Sequence, residues 1–256
     1  MPRAQRIASS TGIFHVLLRG INRQLIFEED KDCEQFLRHL AAVKELSRFE
    51  LYAYCLMGNH VHLLLKEGKE PLAQIIKRLG ARYVFWFNAK YRRVGHLFQD
   101  RFKSEPVADD AYFLAVLRYI YQNPVKAGLC EKTKDYEWSS RRLLGTGKGL
   151  VDEESLAAVA PVDAIRKRAD EIMDVELMPE ARGRRPRFFD NEAAASMREA
   201  CGASNASAFQ ALGKDAQRRA IGLLTEKQVP VRQLARITGL SKGVVERWAR
   251  KGKQDK

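Results

Sequence analysis

The chain lacks the features of a secreted or membrane protein. Its 256 residues include four cysteines, and no two of them form a Cys-x-x-Cys pair. This pattern argues against a zinc ribbon and a disulfide framework, and it suits a reducing compartment. The first residues contain no apolar segment like that of a signal peptide, and no apolar run reaches membrane-spanning length. We therefore expect a cytoplasmic protein that does not contact a membrane.

The sequence also lacks a nucleotide-binding phosphate loop. The glycine-rich segment 145–149 contains Gly147 and Lys148, but Arg142 stands where the motif requires glycine, and no Ser or Thr follows the lysine. We predict a flexible loop here and no nucleotide cofactor.

Acidic residues are too few to balance the basic ones, and the formal net charge is +13 at pH 7. The net charge, taken as Lys plus Arg minus the sum of Asp and Glu, is +9 for residues 1–150, −6 for 151–180 and +10 for 181–256. A surplus of this size favours binding to a polyanion such as DNA. The segregation of charge predicts a domain at 1–150, an acidic spacer with a basic linker at 151–187, and a second basic domain at 188–256.

The apolar pattern of the first domain predicts an α+β fold. A strand at 14–19 precedes a helix from about Asp32, whose apolar residues recur at three- and four-residue spacing. The members of this stripe are Phe36, Leu37, Leu40, Val43 and Leu46. A hairpin, a helix at about 72–92, a short strand and a helix at about 110–124 follow. This order fits an antiparallel sheet covered by helices, with a ferredoxin-like arrangement favoured.

Two histidines lie two residues apart in the predicted hairpin. Gly58-Asn59 is a two-residue turn signal, and strand formers lie on both sides of it. His60 and His62 then share one face with Leu64, because successive side chains of a strand alternate between faces. Two imidazoles on one face can bind one metal ion. From the spacing alone, hydrogen-bonded histidines without a metal are an equally good explanation.

The third predicted helix carries a tyrosine and an asparagine on one edge. Its core stripe consists of Phe113, Val116, Leu117 and Ile120. Tyr119 and Asn123 lie one turn apart on the flank of this stripe, about 40° from each other, while Tyr121 points away. Together with the two histidines, the Asn123 oxygen would complete a divalent metal site for a phosphate that Tyr119 attacks. Taken alone, tyrosines that fill a core are the more common explanation.

Basic residues in both domains are candidates for DNA contacts. In the first domain they lie on the 72–92 helix and the segment after it: Lys77, Arg78, Arg82, Arg92, Arg93, Arg101 and Lys103. In the second domain, Ala235, Gly239 and Val245 have the spacing of a helix-turn-helix at about 231–250. Its second helix would present four cations to DNA: Lys242, Arg247, Arg250 and Lys251. A basic helical hairpin that binds no DNA could have the same spacing.

Five segments of the first domain form a recognisable series. In chain order they are 14–23 (FHVLLRGINR), 57–65 (MGNHVHLLL), 95–103 (GHLFQDRFK), 119–128 (YIYQNPVKAG) and 136–140 (YEWSS). Together they resemble REP-associated tyrosine transposases, which are single-tyrosine HUH transposases. The resemblance spans residues 13 to about 145 and does not extend with equal specificity to the second domain. The chain departs from the family pattern in having Gly58 where the family often has proline.

The resemblance implies a metal-dependent reaction on single-stranded DNA beside a hairpin such as a repetitive extragenic palindrome. It implies that His60 and His62 bind Mg²⁺ or Mn²⁺, that Asn123 is the third ligand, and that Tyr119 is the nucleophile. The product of attack would be a 5′-phosphotyrosine and a free 3′ hydroxyl. The sequence leaves open whether the protein is a monomer or a homodimer, and whether Tyr119 acts on its own chain's metal site.

Three other functions are weighed against this one. A domesticated DNA-binding regulator would need the helix-turn-helix but no active site. A histidine phosphoesterase would be expected to have a third histidine at position 64, where the chain has leucine. RNA processing rests only on the basic charge and the aromatic residues.

Overall fold

The computed structural model describes residues 8–99, 101–171 and 190–251, with side chains from 193 to 250 in the last range. The first domain is built on a four-stranded antiparallel sheet. Its strands are β1 (Ile13–Arg19), β2 (Glu50–Met57), β3 (His60–Lys66) and β4 (Lys103–Pro106), in the spatial order β2-β3-β1-β4. This is the ferredoxin-like order, so the predicted α+β class is confirmed.

Helices cover both faces of the sheet. The pair α1 (Asp30–Ser47) and α2 (Leu72–Lys90) packs on the face that carries Val61, Leu63 and Leu65. The helix α3 (Asp110–Lys126) packs on the opposite face, against Leu64 of β3 and the residues of β2 that share its face. The alternation along β3 therefore assigns its even-numbered side chains, including both histidines, to the α3 face.

Two details of the predicted helices were wrong. Leu46 was predicted to belong to the apolar stripe of α1, but it is 54% exposed, because Ser47 takes the buried position in the last turn of this helix. The third helix was predicted to end at Pro124 but continues to Lys126. Proline has no N–H to donate to the carbonyl four residues earlier, yet the next turn still forms, and Gly128 at φ 73° ends it.

The described part of the predicted spacer packs on the α3 side of the sheet. Two short helices, α4 (Glu153–Ala157) and α5 (Val162–Arg168), bury Leu156 and Ile165 in the core beneath α3. Asp152 accepts hydrogen bonds from the Leu51 backbone and from Lys44, both at 2.7 Å. The α3 layer thus extends past the boundary predicted at residue 150. The predicted basic linker, 182–187, lies outside the described residues.

The second domain is helical and has its own core. Its helices are α6 (Asp190–Cys201), α7 (Ala206–Ala211), α8 (Lys214–Glu226), α9 (Val231–Thr238) and α10 (Lys242–Lys251). Ala235 and Val245 are buried between them, and Gly239 takes a left-handed conformation, φ 68°, between α9 and α10. These positions agree with the spacing read from the sequence. Within the described ranges, no helix is long and apolar enough to cross a bilayer.

Candidate active site

The two histidines of β3 lie in the interior of the sheet. The turn Gly58-Asn59 joins β2 to β3, as predicted, so His60 is the first residue of its strand. His60 is 6% exposed and His62 is fully buried, and their ring centroids are 5.0 Å apart at an interplanar angle of 87°. Because β3 is an inner strand paired on both sides, the backbone holds the two imidazoles rigidly on one face.

The third helix brings Tyr119 and Asn123 to the histidines. Asp109 begins α3 by accepting a hydrogen bond from the Tyr112 backbone N–H at 2.8 Å. Asn123 Nδ2 lies 3.2 Å from His62 Nε2, and the Tyr119 ring stands edge-on to the His62 ring at 5.5 Å. The four residues predicted to form the site therefore converge, although 61 residues separate the histidine from the asparagine.

Tyr121 lies apart from this cluster, as the helical geometry predicts. Its side chain is fully buried, and its hydroxyl faces Ser140 and Arg141. Burial raises the pKa of Tyr121 well above its usual value. The Tyr121 hydroxyl thus faces a different set of side chains from the histidine cluster.

Two residues that the sequence reasoning missed contact the Nδ1 atoms of the histidines. The Nε2 atom of His15, in the middle of β1, lies 3.0 Å from His62 Nδ1. The Oδ1 atom of Asn59 lies 2.7 Å from His60 Nδ1. Burial, and secondarily the neighbouring His62, lower the pKa of His15 well below its usual value. The available signal was a polar residue in the apolar run 13–18, but only the pairing of β1 with β3 shows that it lies on the histidine face.

The ligands available for a cation are two imidazoles and one carboxamide. No group of three His, Cys, Asp or Glu side chains suited to a metal ion occurs in the described part of the chain. The Nδ1 atoms of His60 and His62 already face other side chains, so Nε2 would be the ligating atom of each if a cation bound. A half-turn of the Asn123 carboxamide group exchanges the places of Nδ2 and Oδ1, so either atom can face His62 Nε2. This set fits a divalent cation that accepts imidazole and oxygen and keeps open positions.

Three cations surround this cluster. In the sheet, Arg19 pairs with His60. Leu17 pairs with His62 on one side and with Lys103 on the other. Arg19 and Lys103 therefore lie on the histidine face. Lys126, one turn after Asn123, places Nζ 5.6 Å from the centroid of the Tyr119 ring. Of these three, only Lys103 was among the DNA contacts predicted from the sequence. The electrostatic environment suits a phosphodiester.

The predicted DNA contacts on α2 lie across the sheet from the histidines. Lys77 and Arg82 are exposed, whereas Arg78 is half-buried and pairs with Glu70 at 2.5 Å. This helix packs on the face opposite to α3, so the sheet separates these residues from the histidines and Tyr119.

The remaining predicted contacts lie at the end of α2, in the segment after it, and in the second domain. Arg92 and Arg93 line a cleft of about 520 Å³ between the end of α2 and α7. Arg93 also donates to the Gln24 side chain at 3.2 Å. The other exposed predicted cations are Arg101, Lys242, Arg247 and Arg250. The side chain of Lys251 lies outside the described residues, and all these contacts stay predictions.

The segment that contains this strand and helix is similar to a known family. Residues 8–123, which contain both histidines, Tyr119 and Asn123, match the family model described as "Transposase IS200 like". This part of the chain is therefore similar to IS200-like transposases. The predicted resemblance is confirmed in its specific form by curated relatives that are REP-associated tyrosine transposases.

Two of these relatives and one solved structure show how far the similarity extends. A Haemophilus influenzae protein assigned as a REP-associated tyrosine transposase is 36% identical over 104 residues, which is 36% of this chain and 58% of that protein. The REP-associated tyrosine transposase of Escherichia coli is 26% identical over 141 residues, 54% of this chain and 80% of that one. The chain therefore spans little more than half of the Haemophilus relative.

The solved structure is that of a REP-associated tyrosine transposase bound to a REP hairpin. It is 20% identical to this chain, with a TM-score of 0.52, and the match covers 72% of this chain and 98% of that one. At this identity, the match supports the fold.

Proposed function

We propose that this protein is a metal-dependent endonuclease and transposase that cleaves and rejoins single-stranded DNA beside hairpins such as REP sequences. The observation that carries the proposal is the convergence of Tyr119 and Asn123 on the two histidines of β3. A core that needed only packing would fill this place with apolar side chains, because buried imidazoles and carboxamides lose hydration. Four polar groups of the expected kinds meet here instead.

Tyr119 supplies the nucleophile. Its oxygen attacks the phosphorus of a DNA phosphodiester, the bond from phosphorus to the 3′ oxygen breaks, and a 5′-phosphotyrosine forms. The proton that the phenol loses is balanced by the proton that the departing 3′ oxygen gains. One phosphodiester is exchanged for another, so the reverse attack by a 3′ hydroxyl can rejoin DNA without a nucleotide cofactor.

His60, His62 and Asn123 would hold Mg²⁺ or Mn²⁺ through two Nε2 atoms and one carboxamide oxygen. When bound, the cation polarises the phosphate and stabilises the negative charge that develops on it. Arg19, Lys103 and Lys126 would attract the same phosphate, since strand register and the ring contact of Lys126 put them around the cluster. Tyr121 takes no part in this chemistry.

The second domain would bind the duplex of the hairpin. Gly239 forms a tight turn between α9 and α10, and α10 exposes Lys242, Arg247 and Arg250 along its surface. We assign residues 188–256 to this DNA-binding role and residues 1–150, with the short helices that follow, to the chemistry. A related protein is known bound to a REP hairpin, which supports a hairpin as the substrate.

The two tyrosines provide a matched test of the nucleophile. Tyr119→Phe and Tyr121→Phe each remove one buried hydroxyl from the same helix, so both variants should fold. With Mn²⁺ and an end-labelled hairpin carrying a single-stranded flank, we expect Tyr119→Phe to form no covalent adduct while its DNA affinity stays within about twofold. Tyr121→Phe should form the adduct at nearly the wild-type rate. An adduct in Tyr119→Phe, or its loss in Tyr121→Phe alone, would overturn the assignment.

A further inference from the structure

A third histidine belongs to the environment of the proposed metal site. His15 stands at the centre of β1, is fully buried, and lies on the same face of the sheet as His60 and His62. Its ring stacks on that of His62 with centroids 5.2 Å apart and an interplanar angle of 26°. It also makes a T-shaped contact with the Tyr119 ring at 5.9 Å. His15, the proposed ligand His62 and the proposed nucleophile Tyr119 thus contact one another pairwise.

The contact between His15 and His62 is a hydrogen bond between two ring nitrogens. His15 Nε2 and His62 Nδ1 are 3.0 Å apart, so one nitrogen donates a proton and the other accepts it. If His62 donates from Nδ1, its Nε2 carries the lone pair that a cation needs. If His15 donates instead, neutral His62 carries its proton on Nε2, and that atom cannot ligate. Only one of the two arrangements therefore suits metal binding.

We propose that His15 is a positioning residue for His62: it accepts a hydrogen bond from His62 Nδ1–H and so fixes the tautomer and ring orientation in which His62 binds a divalent cation. The inference rests on the proposed function, because it assumes that His62 is a metal ligand. Metal-bound histidines commonly donate their other ring N–H to a neighbouring acceptor, and loss of that acceptor weakens metal binding. His15 provides this acceptor from an adjacent strand, where the backbone holds it in register.

His15 lowers the stability of the core, which supports a role beyond packing. Its Nδ1 atom is buried and makes no hydrogen bond within the described structure. A buried polar atom without a partner destabilises a protein, and an apolar residue in the same place on β1 would avoid that penalty. A histidine used only to fill space would be a poor choice here. The hydrogen bond to His62 is the specific property that an apolar residue cannot supply.

Metal binding by the free protein tests this inference without DNA or catalysis. Mn²⁺ affinity is measured by electron paramagnetic resonance for the wild type, His15→Leu, His15→Gln and Val16→Ala. Leu removes the acceptor, whereas the Gln carbonyl oxygen can occupy the place of Nε2. Val16 is fully buried on the opposite face of the same strand, so its truncation provides a control for a general loss of stability.

We expect His15→Leu to weaken Mn²⁺ binding by about 10- to 100-fold. His15→Gln should restore affinity to within a few-fold of the wild type, and Val16→Ala should keep it within about twofold. A purely structural role would instead give His15→Leu and Val16→Ala equal effects, or leave Gln no better than Leu. Either result would overturn the proposal.

The tautomer itself is visible by NMR. The chain has only five histidines, so long-range ¹H–¹⁵N spectra of ¹⁵N-histidine-labelled protein can be assigned by substitution. We expect His62 to carry its proton on Nδ1 in the wild type and in His15→Gln, and to lose this preference in His15→Leu. A His62 protonated on Nε2 in the Mn²⁺-free wild type and unchanged by His15→Leu would contradict the inference.

The same measurements separate this inference from the proposed function. If the wild type binds Mn²⁺ no better than His62→Ala, the metal site itself is wrong. If His62→Ala abolishes binding but His15→Leu does not weaken it, the metal site stands and the positioning role of His15 is refuted.

Discussion

Glu28 precedes α1, and its carboxyl group is surrounded by other charges. One carboxyl oxygen is buried and makes no hydrogen bond within the described residues. Burial and the neighbouring Asp32 raise the pKa of Glu28 from 4.5 to about 8, with Arg93 opposing the shift. In the folded protein this carboxyl group therefore keeps its proton to higher pH than in the unfolded chain. Folding takes up a proton between the two pKa values, so the protein loses stability as pH rises.

The size of this loss follows from the gap between the two pKa values. Each pKa unit corresponds to about 1.36 kcal/mol, which sets an upper bound of about 5 kcal/mol for the gap from 4.5 to about 8. Because the side chain as a whole is only half-buried, solvent screening reduces this to about 1–3 kcal/mol. The stability is fully present below pH 4.5 and is lost as pH rises through about 8.

Urea denaturation of the wild type and Glu28→Gln from pH 5 to pH 9 measures this effect. Gln keeps the shape of the protonated acid but cannot ionise. We expect the two proteins to be about equally stable at pH 5 and the variant to be more stable by about 1–3 kcal/mol at pH 9. All other titrating groups cancel in the difference. Glu34→Gln, which changes an exposed residue of α1, is the control and should show no such divergence. Parallel pH profiles for Glu28→Gln and the wild type would refute the reasoning.

Three further predictions concern the proposed interaction with DNA. Lys126→Met keeps the aliphatic chain over the Tyr119 ring but removes the charge, so the rate of adduct formation should fall about two- to fivefold; an unchanged rate would exclude a role for this cation. Lys103→Ala should slow cleavage more than Arg82→Ala, because only Lys103 shares the face of the histidines; equal rates would contradict this geometry. Deletion of residues 188–256 should lower hairpin affinity and its salt dependence more than turnover on a short single strand, and full affinity after deletion would refute the role of the second domain.

The sequence predicted those parts of the molecule that depend on local periodicity. The turn at Gly58-Asn59 and strand alternation were enough to put His60 and His62 on one face, and helical spacing was enough to separate Tyr119 from Tyr121. Each of these predictions needs only neighbouring residues and a known repeat. The structure agrees with all of them.

Features that depend on strand register were not predicted. His15 and Arg19 belong to β1, which is more than 40 residues from β3 along the chain, and only the observed pairing brings them beside His62 and His60. Lys103 was predicted to contact DNA, but its place on the histidine face follows only from the pairing of β4 with β1. The exposure of Leu46 was missed for a related reason. Periodicity identifies a face, whereas only the packing of the neighbouring helix shows where that face ends.

Peptide mapping of a covalent DNA adduct tests the proposed chemistry most directly. The wild-type protein is incubated with Mn²⁺ and a library of labelled single-stranded hairpins, the adduct is isolated on a denaturing gel, and the linked residue is identified by mass spectrometry. We predict that DNA is attached to Tyr119 through its 5′ phosphate, and that a chelator prevents the reaction. Attachment to any other residue, or tight hairpin binding with no adduct, would contradict the assignment of Tyr119 as the nucleophile.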